Sequence, residues 1–381
     1  MVVMSVTLDN FMAFTDFNVN FSYPKKLVKS YIKSEHIVGC PKFRYKKLII
    51  LLGANASGKT SLGQILNRIL NFIVYKNAEL LIGAVCDNTQ EAKLSIDFVL
   101  SDEQPELYRL SLKIAPFERD ELKTNAYPKI EVCVKNTAIE KNDSYEKAKE
   151  RLDKHEAEYS DNYIEKLRTI PPFGYFFSYP FDVKPTTPRK VDNANYRNVL
   201  EIVLKVLDPS IVRVERVREA QNSYSIKFLG GSSVLIQEGK TVNTSLLSSG
   251  TKAGIAIADI LTAIMEHENG FYYCDERFSY IQSDVECAIL GLMTEHLGDN
   301  EQMFFTTQNT DILALPYPKH SYMFLRKTVE GGAVKIQAVS ADKYLKRNTD
   351  VLRRAVENDL FLTAPNIDRL LELSKDEDHA E

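Results

Sequence analysis

The 381-residue chain carries 48 Lys and Arg against 52 Asp and Glu, a formal net charge of −4. With 44% hydrophobic residues, 26% charged residues and only 16 Gly and 14 Pro, its composition excludes disordered, collagenous and low-complexity classes. A pI near 6.0 excludes a globally basic nucleic-acid binder and leaves room only for a local basic patch.

Residues 2–8 and 47–52 are short runs rich in Val, Ile and Leu and are predicted as strands. Between them, Phe21 to Lys47 is aromatic and basic, with Pro24 and Pro41 as breakers, and its lysines are expected on a solvated face. After the second strand comes Gly53-Ala54-Asn55-Ala56-Ser57-Gly58-Lys59-Thr60-Ser61, followed by Leu62, Ile65, Leu66, Ile69 and Leu70 at helical spacing. Residues 92–136 hold three apolar or alternating runs, which predict an antiparallel sheet. The charged stretch 144–168 predicts one solvated helix, without the sustained apolar seam of a coiled coil. Pro171-Pro172 and the segment Pro180 to Pro188 mark an irregular region.

A helix is predicted at Tyr196–Leu207, stopped by Asp208-Pro209, and then strands at Ile211–Val217, Tyr224–Leu229 and Ser233–Gln237. An Ala- and Ile-rich helix follows Leu247-Ser248-Ser249-Gly250-Thr251, and a strand at Phe271–Cys274 ends in Asp275-Glu276. A helix from Gln282 to His296, strands at Gln302–Thr306, Tyr322–Leu325 and Val334–Val339, and a helical acidic tail complete the reading.

Residues 53–60 match G-x-x-x-x-G-K-[ST], the phosphate-binding loop. Two glycines let backbone N–H groups wrap phosphates closely, Lys59 reaches the terminal phosphates, and the Thr60 hydroxyl holds Mg²⁺. The strand before it and the amphipathic helix after it are the context this motif requires, so a nucleoside triphosphate ligand is expected. Asp275-Glu276 alone is a weak signal, because strands often end in acidic pairs. Downstream of such a loop, the Asp is expected to help hold Mg²⁺ and the Glu to polarise an attacking water. Ser248-Ser249-Gly250 before a helix is ordinarily an N-cap. Placed between the loop and the acidic strand, it also offers a hydroxyl and an N–H to a γ-phosphate.

Together these residues resemble the ABC-type ATPases of the SMC/RecF/OLD group, often described as compact AAA-family ATPases. The resemblance covers roughly residues 1–340 at motif level. It rests on Asp9-Asn10-Phe11, the G-x-N-x-S-G-K-T loop, Leu207-Asp208-Pro209-Ser210-Ile211, Ser248-Ser249-Gly250-Thr251, Asp275-Glu276 and Phe305-Thr306-Thr307-Gln308-Asn309. It implies an α/β fold, a P-loop NTPase of ABC-ATPase head type with an accessory antiparallel sheet and a helical insertion. The implied organisation has an N-terminal half-head at 1–104 and a lid-like insertion at 105–195. A C-terminal half-head at 196–345 and a helical acidic tail at 346–381 follow.

The resemblance further implies ATP and Mg²⁺ as cofactors, with Gly53, Asn55, Ala56, Ser57, Gly58, Lys59, Thr60 and Ser61 binding phosphate. Thr60 and Asp275 serve the metal, and Glu276 and Gln308 catalysis. Ser249 and Gly250 close on nucleotide held by a second copy of the chain, so at least a homodimer is expected. The family's Thr-His-Asn position is filled by Gln308, which cannot carry histidine's charge, and slow hydrolysis is expected. A loop glutamine without an active-site role is the alternative. For the family's glutamine loop, Gln90 is the candidate, and a surface glutamine is the competing reading.

The stretch 144–168 is too short for an SMC coiled-coil arm, and too few residues follow the head motifs for the nuclease domain of OLD-type proteins. Compact heads of this kind resemble ATPase components of bacterial anti-phage defence systems, which control a separate effector protein. A RecF-like DNA-repair ATPase clamping nucleic acid is the alternative. The five cysteines, Cys40, Cys86, Cys133, Cys274 and Cys287, contain no C-x-x-C pair, so neither a zinc site nor a disulfide framework is expected. No apolar run approaches the ~20 residues of a membrane span and no signal peptide is evident, so a cytoplasmic protein without membrane contact is expected.

Overall fold

The computed structural model describes residues 1–26, 30–101, 104–118, 127–179, 195–217, 220, 222–237, 240–242, 247–331, 333–347 and 350–363. Its centre is a six-stranded sheet in the order β17-β16-β5-β15-β14-β9. The strands are β5 (Leu48–Leu52), β9 (Tyr175–Ser178), β14 (Phe271–Asp275), β15 (Gln302–Thr306), β16 (Tyr322–Glu330) and β17 (Ala333–Ser340). All neighbours run parallel except β16 and β17, which form an antiparallel pair at one edge.

Strands β5, β14 and β15 are buried at every residue, as expected for parallel strands covered on both faces. Their period-2 alternation divides the protein into two cores. Leu48, Ile50, Leu52, Tyr272, Cys274, Met303 and Phe305 face the helices Tyr196–Leu207, Ser249–Met265 and Ser283–His296. A four-stranded antiparallel sheet packs into the same core; its strands are β10 (Ile211–Arg216), β11 (Ser223–Phe228), β12 (Ser233–Gln237) and β13 (Lys240–Val242).

Ile49, Leu51, Phe271, Tyr273 and Phe304 point the other way, into a core with the helix Lys59–Tyr75. A five-stranded antiparallel sheet, ordered β2-β1-β6-β7-β8, closes that side. Its strands are β1 (Val2–Asp9), β2 (Phe17–Asn20), β6 (Ala92–Ser101), β7 (Pro105–Ile114) and β8 (Ile130–Ala138). The short pair β3 (His36–Ile37) and β4 (Cys40–Arg44) lies apart from it.

The antiparallel sheet expected over 92–136 is present, but the stretch 105–195 departs from a helical insertion. It supplies β7 and β8 to the accessory sheet and β9 to the main sheet, because their alternating apolar residues complete faces that would otherwise be open. The single helix expected over 144–168 is two, Tyr145–Lys154 and Tyr163–Arg168. The first is N-capped by Ser144 and buries Tyr145, Ala148 and Leu152; at His155 the backbone turns extended. Between them, Ser160 exchanges backbone hydrogen bonds with Val132 of β8, tying the chain to the sheet edge, and Asn162 caps the second helix.

Not all lysines of the basic stretch are solvated. Lys46 and Lys47 are buried, the first donating to Ser340 Oγ at 2.6 Å and the second to the Lys33 carbonyl at 2.9 Å. Burial pulls the Lys46 ammonium down to about 8. The irregular segment predicted at Pro180 to Pro188, and the part of the acidic tail beyond residue 363, lie outside the described residues.

Candidate active site

The C-terminal ends of β5, β14 and β15 converge, and the phosphate loop, Asp275 and Glu276 sit there. The loop after β5 leads directly into the helix Lys59–Tyr75. Gly53 admits no side chain, since a Cβ would lie 2.4 Å from the Leu325 carbonyl oxygen and 2.6 Å from Ser57 Oγ. Gly58, the helix N-cap, has φ +103°, a left-handed conformation that favours glycine, and a Cβ there would lie 2.9 Å from Ile336 Cδ1. Both glycines thus let the loop turn tightly into the helix start, the kind of backbone whose N–H groups can bind an anion. Ser57 Oγ is buried in this loop without a hydrogen-bond partner among the described residues.

The helix is seated on β14 by Tyr273, whose hydroxyl donates to the Lys59 carbonyl at 2.8 Å. Lys59 is 4% exposed; its Nζ donates to the carbonyls of Gly53 at 2.9 Å and Ala54 at 3.2 Å, and pairs with Glu276 Oε1 at 3.2 Å. One residue on, Thr60 Oγ1 donates to Asp275 Oδ2 at 2.7 Å. The other Asp275 oxygen accepts from Thr306 Oγ1 at 2.7 Å, a contact set by the β14–β15 register, in which Asp275 and Thr306 are partners. Burial raises the Asp275 carboxyl above the usual carboxylate range, and the two threonine hydroxyls oppose that rise by bonding the charged form.

Glu276 takes a left-handed conformation, φ +41°, rare for a residue with a Cβ. Its N–H donates to Thr306 Oγ1 at 2.9 Å, which holds the turn, and its carboxylate Oε1 pairs with Lys59. The same oxygen, Oε1, also accepts from Gln308 Nε2 at 3.2 Å. Gln308 thus lies beside the predicted base rather than on a remote loop. Around these residues opens a cleft of about 310 Å³, also lined by Phe278, Ser279, Ile281, Ser283, Glu286, Thr307 and Asn309.

Ser248 caps the helix Ser249–Met265 by accepting from the Thr251 N–H at 3.0 Å. The ordinary N-cap reading therefore holds for Ser248. Ser249 is exposed, with no hydrogen-bond partner for its hydroxyl among the described residues, and Gly250 lies half-buried against the Tyr280 carbonyl. Gln90 sits in an exposed turn, where its Nε2 donates to Asp87 Oδ2 at 2.9 Å, and forms no hydrogen bond with residues 53–61. Two roles escaped the sequence reading: that of Thr306, which was quoted only as part of a motif, and that of Glu286. The signal for Thr306 was a hydroxyl at the end of a buried strand. That for Glu286 was a carboxylate on the inner face of a helix.

Among the described residues no group of three or more His, Cys, Asp and Glu side chains is arranged to hold a metal. The pair Thr60 and Asp275 suits a Mg²⁺ ion whose remaining ligands come from phosphate and water. No described helix is long and apolar enough to cross a membrane.

No family model and no curated protein sequence matches the chain. Solved structures do. An SMC head bound to the C-winged helix domain of ScpA superposes with a TM-score of 0.51 at 16% identity, covering 91% of this chain and 100% of that one. An SMC head with an extended coiled coil, bound to the C-terminal domain of ScpA derived from Pyrococcus furiosus, gives 0.52 at 13% identity, covering 91% and 98%. At these identities the likeness establishes the fold, that of an SMC head domain.

Proposed function

We propose that the chain is an ATP-binding and hydrolysing switch that forms ATP-sandwiched dimers and controls a separate effector protein in the cytoplasm, in anti-phage defence. The observation that carries the ATPase reading is the 2.7 Å hydrogen bond from Thr60 to Asp275, which joins the phosphate loop to the acidic strand end. Loop N–H groups and Lys59 bind and orient the phosphates, while Thr60 and Asp275 hold Mg²⁺. Bound Mg²⁺ and ATP supply the electrophilic terminal phosphate. Glu276 accepts the water proton at its carboxylate, and Gln308 orients that carboxylate.

Dimerisation is supported by Ser249, which has no hydrogen-bond partner for its hydroxyl among the described residues and is exposed at a helix start, where a neighbour's phosphate can reach it. A separate protein partner is supported by the two similar SMC heads, each bound to a domain of ScpA. The defence role rests on the resemblance of the head motifs to those of compact ATPase components of bacterial anti-phage systems. In light scattering with ATP, Glu276→Gln is expected to hold a dimer, because it keeps the site's shape and removes the proton acceptor. With ADP the same protein should be monomeric. Equal mass in both nucleotides would rule out the sandwich.

A further inference from the structure

We infer that Glu286 is a positioning residue: from beneath the loop Thr307-Gln308-Asn309 it sets Gln308 against Glu276. The inference rests on the ATPase reading for its catalytic consequence, though not for its geometry. Gln308 is exposed, and among the described residues its side chain has one hydrogen bond, to Glu276 Oε1 at 3.2 Å. Its own contacts are too few to hold it. Both neighbours are held instead, and by one carboxylate. Thr307 Oγ1 donates to Glu286 Oε1 at 2.6 Å, and Asn309 Nδ2 donates to Glu286 Oε2 at 2.8 Å.

The clasp is reinforced within the loop. Asn309 N–H donates to Thr307 Oγ1 at 3.0 Å, Asn309 Nδ2 also donates to Ser283 Oγ at 2.8 Å, and Asn309 Oδ1 accepts from the Asp311 N–H at 2.9 Å. Glu286 is 3% exposed on the helix Ser283–His296, which packs into the main core through Ile289, Leu290 and Met293. A buried carboxylate accepting from a hydroxyl and an amide has little freedom to move. The loop's register is therefore taken from this helix, and the carboxamide of Gln308 projects from a fixed backbone into the cleft that holds Glu276.

The test begins with the ligand-free full chain. In a proton–nitrogen correlation spectrum the Gln308 side-chain amide is identified by its loss in Gln308→Ala, and Glu276→Ala should move it to the position of exposed glutamines. Glu286→Gln, which sets an amide against the Asn309 or Thr307 donor, should move it the same way. With ATP, Glu286→Gln should lower kcat roughly tenfold while leaving nucleotide affinity within about twofold. In a Gln308→Ala background the same substitution should change kcat by less than about twofold, because residues acting through one contact are not additive. A Gln308 amide unmoved by Glu286→Gln, or kcat losses that multiply, overturns the inference. Should Glu286→Gln not fold, Asn309→Ala, which removes the amide reaching the same carboxylate, is read by the same criteria. Absence of ATP binding by the wild type would overturn the ATPase reading, and the ligand-free spectrum would still decide the role of Glu286.

Discussion

The two helix starts that carry the phosphate-binding signals, at Lys59 and at Ser249, are built in opposite ways. The first is knitted into its own chain. Lys59 is bonded to Gly53, Ala54 and Glu276, Thr60 to Asp275, and the helix to Tyr273. The second presents its leading residue outward: Ser248 closes the cap, and Ser249 remains exposed. At the first start the Lys59 and Thr60 side chains are bonded within the chain, whereas at the second the Ser249 hydroxyl has no hydrogen-bond partner among the described residues. That asymmetry is what an ATP sandwich between two copies requires, and each half can be broken separately.

The largest effect is expected at the inward half. Lys59→Ala should weaken ATP binding by roughly one to two orders of magnitude, the worth of a charge-assisted hydrogen bond to phosphate. The variant should keep its fold, since the turns at Gly53 and Gly58 are set by backbone conformation. Wild-type affinity by calorimetry with Mg²⁺ would remove the phosphate-loop assignment.

At the outward half, Ser249→Arg should bind ATP normally yet lose both ATP-driven dimerisation and turnover, because a bulky cation fills the space meant for the neighbour's phosphate. Wild-type turnover in this variant would leave the helix start as a cap and nothing more.

A smaller change is expected within the inward half at Gln308. Gln308→His should leave turnover unchanged or raise it a few-fold, by restoring a titratable donor beside Glu276. A steep loss with ATP binding intact would mean that the glutamine has a geometry of its own. The smallest effect separates the cap from the signature. Ser248→Ala should cost about 1 kcal/mol of stability and lower Tm by about 2 °C, with ATP affinity unchanged. A change in affinity rather than in Tm would transfer the ligand-binding role from Ser249 to Ser248.

Much of the inward half was legible in the sequence. Gly53, Gly58, Lys59 and Thr60 are recognisable because wrapping a phosphate in backbone demands glycines and a hydroxyl at fixed spacing. Asp275 and Glu276 were legible because an apolar strand ended on them. Thr306 was not, because its importance comes from lying beside Asp275 in a neighbouring strand, and register cannot be read from one strand alone. Strand β9 was missed because four residues after a pair of prolines carry too little pattern to mark a strand. The 144–168 helix was over-extended because charge alone does not show where Ser160 rejoins a sheet.

By itself, then, the sequence determined the local devices of this protein: the loop that only glycine permits, the buried period-2 strands, the Ser248 cap, and the acidic pair at a strand end. Each depends on neighbours a few residues away. Only the tertiary structure decided which ends meet. Thr60 and Asp275 are 215 residues apart in the chain and bond because β5, β15 and β14 lie side by side in parallel. Lys59 finds Glu276, and Glu286 comes to lie beneath Gln308, for the same reason. These contacts follow from strand order and helix docking, which are set by the packing of two cores on opposite faces of one sheet and not by any local pattern of residues.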